Sequence, residues 1–591
     1  MSQEHGSENL VEQIVMEKPT AKQISRRTIL GGTVGLAGVA AAGAALPAKA
    51  LAAAVPANGS ALNPALFPKG RTIASNSTDA VATTDSGKIK GYVSRGIYTF
   101  KGIPYADDTS GANRFVVAQK VKPWTGVRGA MAYGRTCPQA FRTGWNENEN
   151  SWMFHWSDGI AGEDCLRLNV WTPSINDSAK RPVMFWIHGG GYTAGSAEEQ
   201  PGYDGENLAK RGDVVLVSVN HRLNVLGFLN LDKYGEKFKH SGNVSQSDLV
   251  AALEWVKANI AGFGGDPNNV TIFGQSGGGG KVAYLMGMPS AQGLFHKAII
   301  ESGSKPINGP ASLSVQLSDY VLEELQIPAS RVEDVQKVPY DQLLAAANRA
   351  LARQRASMPP ANPNALRGSG SGVGWQPYVD GEVIPGPAFY PTAPEMSKSV
   401  PVLIGSTLNE FISAMDHPEY ELLTWDELHD RVDKALPGKA DEAIKIYRAD
   451  YPKASAFDIW SQMNATTAMR RNAVEIAKQK AAQGTPAYNY QFNWKTPVLD
   501  GRPRAFHCSE IAFAFDNTDV ARTMTGGGED ARALAAKVSD AWIAFAKTGN
   551  PNHSGLPKWE PANGDRVPTM CFDNECEVKV NYDVEELRIT L

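Results

Sequence analysis

Residues 270–281 (VTIFGQSGGGGK) constrain this chain more than any other stretch. Val270-Thr271-Ile272-Phe273 is an apolar, β-branched run of the kind that forms a buried strand. Gly274-Gln275-Ser276-Gly277-Gly278 follows at once. Glycines on both sides of the serine let a strand turn sharply into a helix, because no Cβ obstructs the turn. The serine at the apex then presents its hydroxyl, and the next backbone N–H groups open a helix, where they face negative charge. A bare glycine-rich turn with a surface serine would read the same way locally, so the rest of the chain has to decide.

The flanking segments repeat the strand–helix theme. Residues 182–187 (PVMFWI) and 213–220 (DVVLVSVN) read as buried strands, and so do 402–405 and 488–494. Between them, residues 243–263 carry Leu249, Leu253, Val256 and Ile260 at helical spacing, with a glycine-rich end at 264–267. Residues 531–547 form a second strong helix with Val538, Ala541, Trp542 and Phe545 on one stripe, and 310–358 is helical and polar. Strands alternating with helices predict a mostly parallel sheet covered on both faces. Residues 81–105 alternate short apolar runs with glycines, as antiparallel strands and turns do.

Composition excludes several alternatives. With 42% hydrophobic and 20% charged residues the chain reads as an ordinary soluble globular protein. A net charge of −4 without a long basic or acidic run speaks against nucleic acid and anionic membranes as partners. Five cysteines are too few for a disulfide scaffold.

The N-terminus carries a different pattern. Ser25-Arg26-Arg27-Thr28-Ile29-Leu30 precedes a weakly apolar, Ala- and Gly-rich stretch, and Ala48-Lys49-Ala50 is a small-residue cleavage pattern. This order resembles a bacterial export signal of the twin-arginine type, with Ile29 and Gly31 departing from the usual residues. The expected organisation is a signal over 1–50, removed near Ala50, a linker over 51–80, and one domain over 81–591. The expected location is periplasmic or secreted, with the export machinery as a partner and no stable membrane anchor.

A serine hydroxyl needs a base, and the base an orienting acid. Five histidines follow Ser276: His296, His417, His429, His507 and His553. A second glycine-rich motif, His188-Gly189-Gly190-Gly191-Tyr192, follows the strand at 182–187 and leaves backbone N–H groups open to an approaching oxygen.

Arg114-Phe115, Pro123-Trp124, Thr136-Cys137-Pro138-Gln139 and residues 163–173 (EDCLRLNVWTP) complete the picture. With them the chain resembles the type-B carboxylesterases, the family that includes the cholinesterases, from about residue 81 to about residue 580. The resemblance implies an α/β-hydrolase fold: a large, mostly parallel central sheet flanked by helices, with N-terminal antiparallel strands and helical insertions. It implies a serine carboxylesterase in which Ser276 is the nucleophile, His507 the base and Glu410 the acid. Gly190, Gly191 and Gly277 would supply the oxyanion N–H groups, and Ser302 would support the acid–base pair. Cys137 and Cys165 would form a disulfide, Arg114 and Glu163 a structural ion pair, and His188 would be structural. The substrate would be a small-molecule ester, and neither a cofactor nor a metal is expected. Several residues depart from the family pattern: Gln275 and Gly277 in the elbow, Asn409 and Phe411 around the acid, and Cys508 after the histidine. Two other readings stay open: a non-catalytic binding protein like the cholinesterase-like adhesion proteins, and the same residues acting on amides, lactones or in acyl transfer. The aromatics Phe141, Trp145, Trp152, Phe154 and Trp156 line either a substrate entrance or a core. Whether Cys571 and Cys576 pair, and what Cys508 does, also stay open.

Overall fold

The computed structural model describes residues 73–75, 79–140, 148–157, 159–303, 310–359, 365–366 and 373–591. The expected export signal, most of the linker, Phe141 and Trp145 lie outside the described residues.

A 12-stranded sheet runs through the molecule. Its spatial order is Ile73–Ala74, Tyr92–Ser94, Ile97–Pro104, Arg167–Thr172, Val215–Val219, Arg181–Ile187, Gly265–Gln275, Lys297–Glu301, Val402–Thr407, Ala487–Phe492, Pro568–Phe572 and Glu577–Val580. From Val215–Val219 to Pro568–Phe572 every neighbouring pair is parallel. The N-terminal strands and the last strand pair antiparallel. Val81–Thr84, Gly87–Lys90 and Val127–Gly129 form a separate small sheet.

Alternation along the central strands explains the two layers of core. Val183, Phe185 and Ile187 join one apolar cluster with Val270, Ile272 and the helix residues Leu249, Leu253 and Val256. Met184, Trp186 and Phe273 join the other, with Val538, Trp542 and Phe545 of the helix Glu529–Thr548. Neighbours along a strand point to opposite faces, so a sheet buried on both sides is apolar throughout.

Two boundaries beside the elbow differ from the sequence reading. The helix Val244–Asn259 gives way to a tighter turn, Ile260–Phe263, and Gly264 ends it in a left-handed conformation (φ 72°). The elbow strand begins already at Gly265, which pairs with Arg181 before a register shift to Val270↔Val183.

Candidate active site

The strand Gly265–Gln275 ends where the helix Gly277–Leu285 begins, and Ser276 is the single residue between them. Its backbone is strained, at φ 58° and ψ −123°, and its N–H donates to Glu301 O at 2.8 Å. The small residues are required by packing. A Cβ on Gly278 would run into the Ile187 carbonyl, and one on Gly277 would lie 2.6 Å from Gly191 N. The turn at 189–191 and the start of the helix therefore approach backbone to backbone. Gly190 (φ 81°) and Gly191 (φ 63°) shape that turn.

Glu410 and His507 come from the ends of two other segments. Glu410 follows the strand Val402–Thr407 and is almost wholly buried. One of its oxygens accepts the Ser302 hydroxyl at 2.7 Å and the Thr407 N–H at 2.9 Å. The other meets His507 Nδ1. A backbone bond from His507 N to Glu410 O, 2.8 Å, joins the two loops. Behind Ser302 lie two more buried carboxyls, Glu301 and Glu510. Burial and their neighbourhood push Glu510 far up, while burial pushes Glu301 up to about 7. Among the described residues no hydrogen bond joins Ser276 Oγ to His507. The Gln275 amide nitrogen instead lies 3.4 Å from both ring nitrogens, and Cys508 Sγ donates to Gln275 Oε1 at 3.2 Å. Phe411 lies over the imidazole with a ring-centroid separation of 3.8 Å.

A cavity of about 490 Å³ collects these groups: Ser276, His507, Glu410, Gly190 and Gly191 all line it. Its aromatic walls are Phe411, Tyr203 and the pair Phe154–Trp156, stacked at 4.6 Å. Trp152 instead points outward, 48% exposed. Sequence reasoning missed Glu199, Tyr203, Asn148, Ser413 and Met415, which also face the cavity. No local motif marks them; only Glu199 stands near one, a few residues after the glycine-rich turn.

The other candidate histidines are occupied elsewhere. His188 is buried, with Nδ1 at 3.0 Å from Gly189 O and its ring stacked on His221. His296 Nδ1 accepts the Val270 N–H at 3.1 Å, His553 Nε2 donates to Lys537 O at 3.0 Å, and His417 and His429 sit near surface carboxylates. Arg114 and Glu163 form the implied ion pair, with Arg114 Nε donating at 2.7 Å.

The implied disulfide is not formed. Cys137 and Cys165 are both free and buried. Cys137 Sγ accepts the Leu223 N–H at 3.2 Å, and the interaction with Cys137 together with burial pushes the Cys165 thiol up. Cys571 and Cys576 are free as well: the first is buried in its strand, while the second sits 3.4 Å from Asp573 O in the following turn. Among the described residues no helix is long and apolar enough to cross a membrane, and no cluster of acidic, histidine and cysteine side chains could hold a metal ion.

A parallel sheet, a strained serine at a strand–helix elbow and a carboxylate–histidine pair beside it define an α/β-hydrolase. The chain belongs to the carboxylesterase family, whose model matches residues 78–590, and is a carboxylic ester hydrolase. It is similar to the para-nitrobenzyl esterase of Bacillus subtilis (strain 168), 32% identical over 86% of this chain and 98% of the relative. It is also similar to the phenmedipham hydrolase of Pseudarthrobacter oxydans, 32% identical over 84% and 96%. Among solved structures, an esterase from Clostridium hathewayi described as hydrolysing aliphatic aromatic polyesters superimposes with a TM-score of 0.75 at 38% identity, covering 86% of this chain and 97% of that one.

Proposed function

We propose that this chain is an exported serine esterase that hydrolyses carboxylic esters with an aromatic ring on one side of the ester bond. Ser276 Oγ attacks the ester carbonyl carbon, and its proton passes to His507 Nε2. The N–H groups of Gly190, Gly191 and Gly277 take the negative charge that collects on the carbonyl oxygen. His507 then gives its proton to the departing alcohol, leaving an acyl-enzyme. Water attacks next, His507 accepts its proton, and the carboxylic acid leaves. Glu410 stays ionised on the Nδ1 side, holding the ring in the tautomer that can accept from Ser276 and stabilising the imidazolium. The Ser276–His507 hydrogen bond forms when substrate binds, as unliganded sites commonly require.

The observation that carries this reading is the single cavity that holds Ser276, His507, Glu410 and the two turn glycines. The aromatic substrate rests on its Phe411, Phe154 and Trp156 walls, which match flat rings by stacking, and on the para-nitrobenzyl and aromatic-polyester names of the relatives. Export rests on the paired arginines, the apolar stretch and the cleavage pattern before Leu51.

The test is hydrolysis of benzyl and p-nitrophenyl esters by wild type and Ser276→Ala, with a fluorescent alkyl phosphonate as a label for the serine. Wild type turns over and is labelled; Ser276→Ala loses the label and falls by about 10⁴-fold or more in kcat. An unlabelled, inactive wild type refutes the esterase mechanism, and a preference for purely aliphatic esters refutes the substrate class.

A further inference from the structure

The turn that carries Gly190 and Gly191 is gripped from behind by a residue with no role in the steps above. Lys281 lies on the helix Gly277–Leu285, four residues after Gly277 and three after Gly278. At that spacing all three share one helix face, and the two glycines already abut 187–191. Lys281 extends the contact. Its side chain is wholly buried, its Nζ donates to His188 O at 3.3 Å, and it stands 5.7 Å from the centre of the Tyr192 ring. It thereby touches both ends of the turn, residues 188 and 192. The middle rests on the helix start through Gly277, where an added Cβ would lie 2.6 Å from Gly191 N.

An amine in this place is costly. Among the described residues no carboxylate pairs with Lys281 within salt-bridge distance. Burial pulls its pKa down to about 7, with Glu199 acting the other way. A methionine, nearly as long, would fill most of the space with no charge to desolvate. Stability therefore does not explain the lysine.

We propose that Lys281 is a positioning residue of the oxyanion hole: by holding His188 and Tyr192 it aims the Gly190 and Gly191 N–H groups at the oxygen that becomes negative. This rests on the reading of Ser276 as nucleophile and of the turn glycines as oxyanion donors.

Lys281→Met tests it. The variant is assayed for kcat and KM on a p-nitrophenyl ester, and for affinity toward an aryl trifluoromethyl ketone. Ser276 Oγ adds to that ketone's carbonyl carbon, the serine proton passes to His507, and the adduct carries an oxyanion in the hole. We expect kcat and ketone affinity to fall together by about tenfold or more, with KM moving by less than about threefold. The melting temperature stays level or rises, because a buried amine has gone. A purely structural lysine gives the reverse, a lower melting temperature with kcat and ketone affinity kept, and that result overturns the proposal. If Lys281→Met does not fold, Lys281→Leu carries the same comparison; failure of both assigns the lysine to folding and overturns it equally. Phosphonate labelling separates the two readings: an unlabelled wild-type Ser276 sinks the nucleophile assignment, whereas a labelled wild type with an unaltered Lys281→Met sinks only the role of Lys281.

Discussion

Glu410→Gln swaps one oxygen for an NH₂ group at constant shape, and the surrounding donors decide which oxygen is lost. One carboxylate oxygen accepts the Thr407 N–H at 2.9 Å and the Ser302 hydroxyl at 2.7 Å. A backbone N–H cannot reverse to accept, so the glutamine must keep its carbonyl oxygen there. Turning the amide round would leave that buried N–H facing another donor, at about 1–3 kcal/mol. The NH₂ group is thus forced toward His507 Nδ1, where it donates. Nδ1 then has to be the unprotonated nitrogen, the proton moves to Nε2, and the imidazole faces Ser276 as a donor that cannot take the serine proton. A wrong-tautomer histidine of this kind lowers kcat by about 10⁴-fold, equivalent to about 5 kcal/mol of transition-state stabilisation. The assay is steady-state hydrolysis of a p-nitrophenyl ester, with circular dichroism and melting to show that the fold survives. Activity within tenfold of wild type would refute the chain of reasoning: either the amide orients the other way, or Glu410 does not govern His507.

Two further outcomes concern buried charge. Asp248 accepts from the Arg222 backbone and guanidinium, at 2.6 Å for the closest bond, and both side chains are almost fully buried. Arg222→Met strands that carboxylate, and urea unfolding should report a loss of about 3–5 kcal/mol with KM of the folded enzyme unchanged; a loss under about 1 kcal/mol contradicts it. Burial raises the Glu301 carboxyl from 4.5 to about 7, against the Trp542 Nε1–H that donates to it at 2.7 Å. The native state thus binds this proton more tightly than the unfolded chain, so its contribution to stability is complete below about pH 4.5 and is lost as pH rises through about 7. Glu301→Gln, which can keep the Trp542 bond, should raise the melting temperature more at pH 8 than at pH 5; equal shifts at both would remove the ionisation argument.

What the sequence made legible was what local spacing encodes. The 270–281 stretch carries its own strand, turn and helix start, because the glycines that let Gly277 and Gly278 abut the neighbouring turn are contiguous with the serine. The apolar runs at 182–187 and 402–405 announced buried strands for the same reason. Family motifs supplied Glu410 and His507, which spacing alone could not have paired across 97 residues. The cysteines show the limit of that transfer: the motif around Cys137 and Cys165 matches, yet both thiols are free in the structure. Phe411 and Gln275 were visible as departures from the family pattern, but their shared place against the His507 ring was not, since neither residue adjoins the histidine in the chain. Lys281 drew no reading of its own from the sequence; its burial follows from the close approach of the 188–192 turn to the helix Gly277–Leu285.

The cavity walls were the least legible part, and the structure gives the reason. Phe154 and Trp156 belong to or follow the short helix Glu149–Phe154, Phe411 and Met415 belong to the loop after Glu410, and a third loop leads to His507. One cluster at the rim joins all three. The Glu149 carboxylate accepts from Arg502 and from the Asp416 N–H, both at 2.9 Å, while the Asp416 carboxylate accepts the Glu149 N–H at 2.6 Å. Arg502 also donates to Ala414 O at 2.8 Å. No member of this cluster hydrogen-bonds to Ser276 or His507, and each partly exposed pair contributes only about 0–1 kcal/mol to folding. The walls can therefore be re-spaced at little cost in stability while the strand-borne chemistry stays fixed. Such an arrangement lets related chains keep one fold while the walls of the cavity differ.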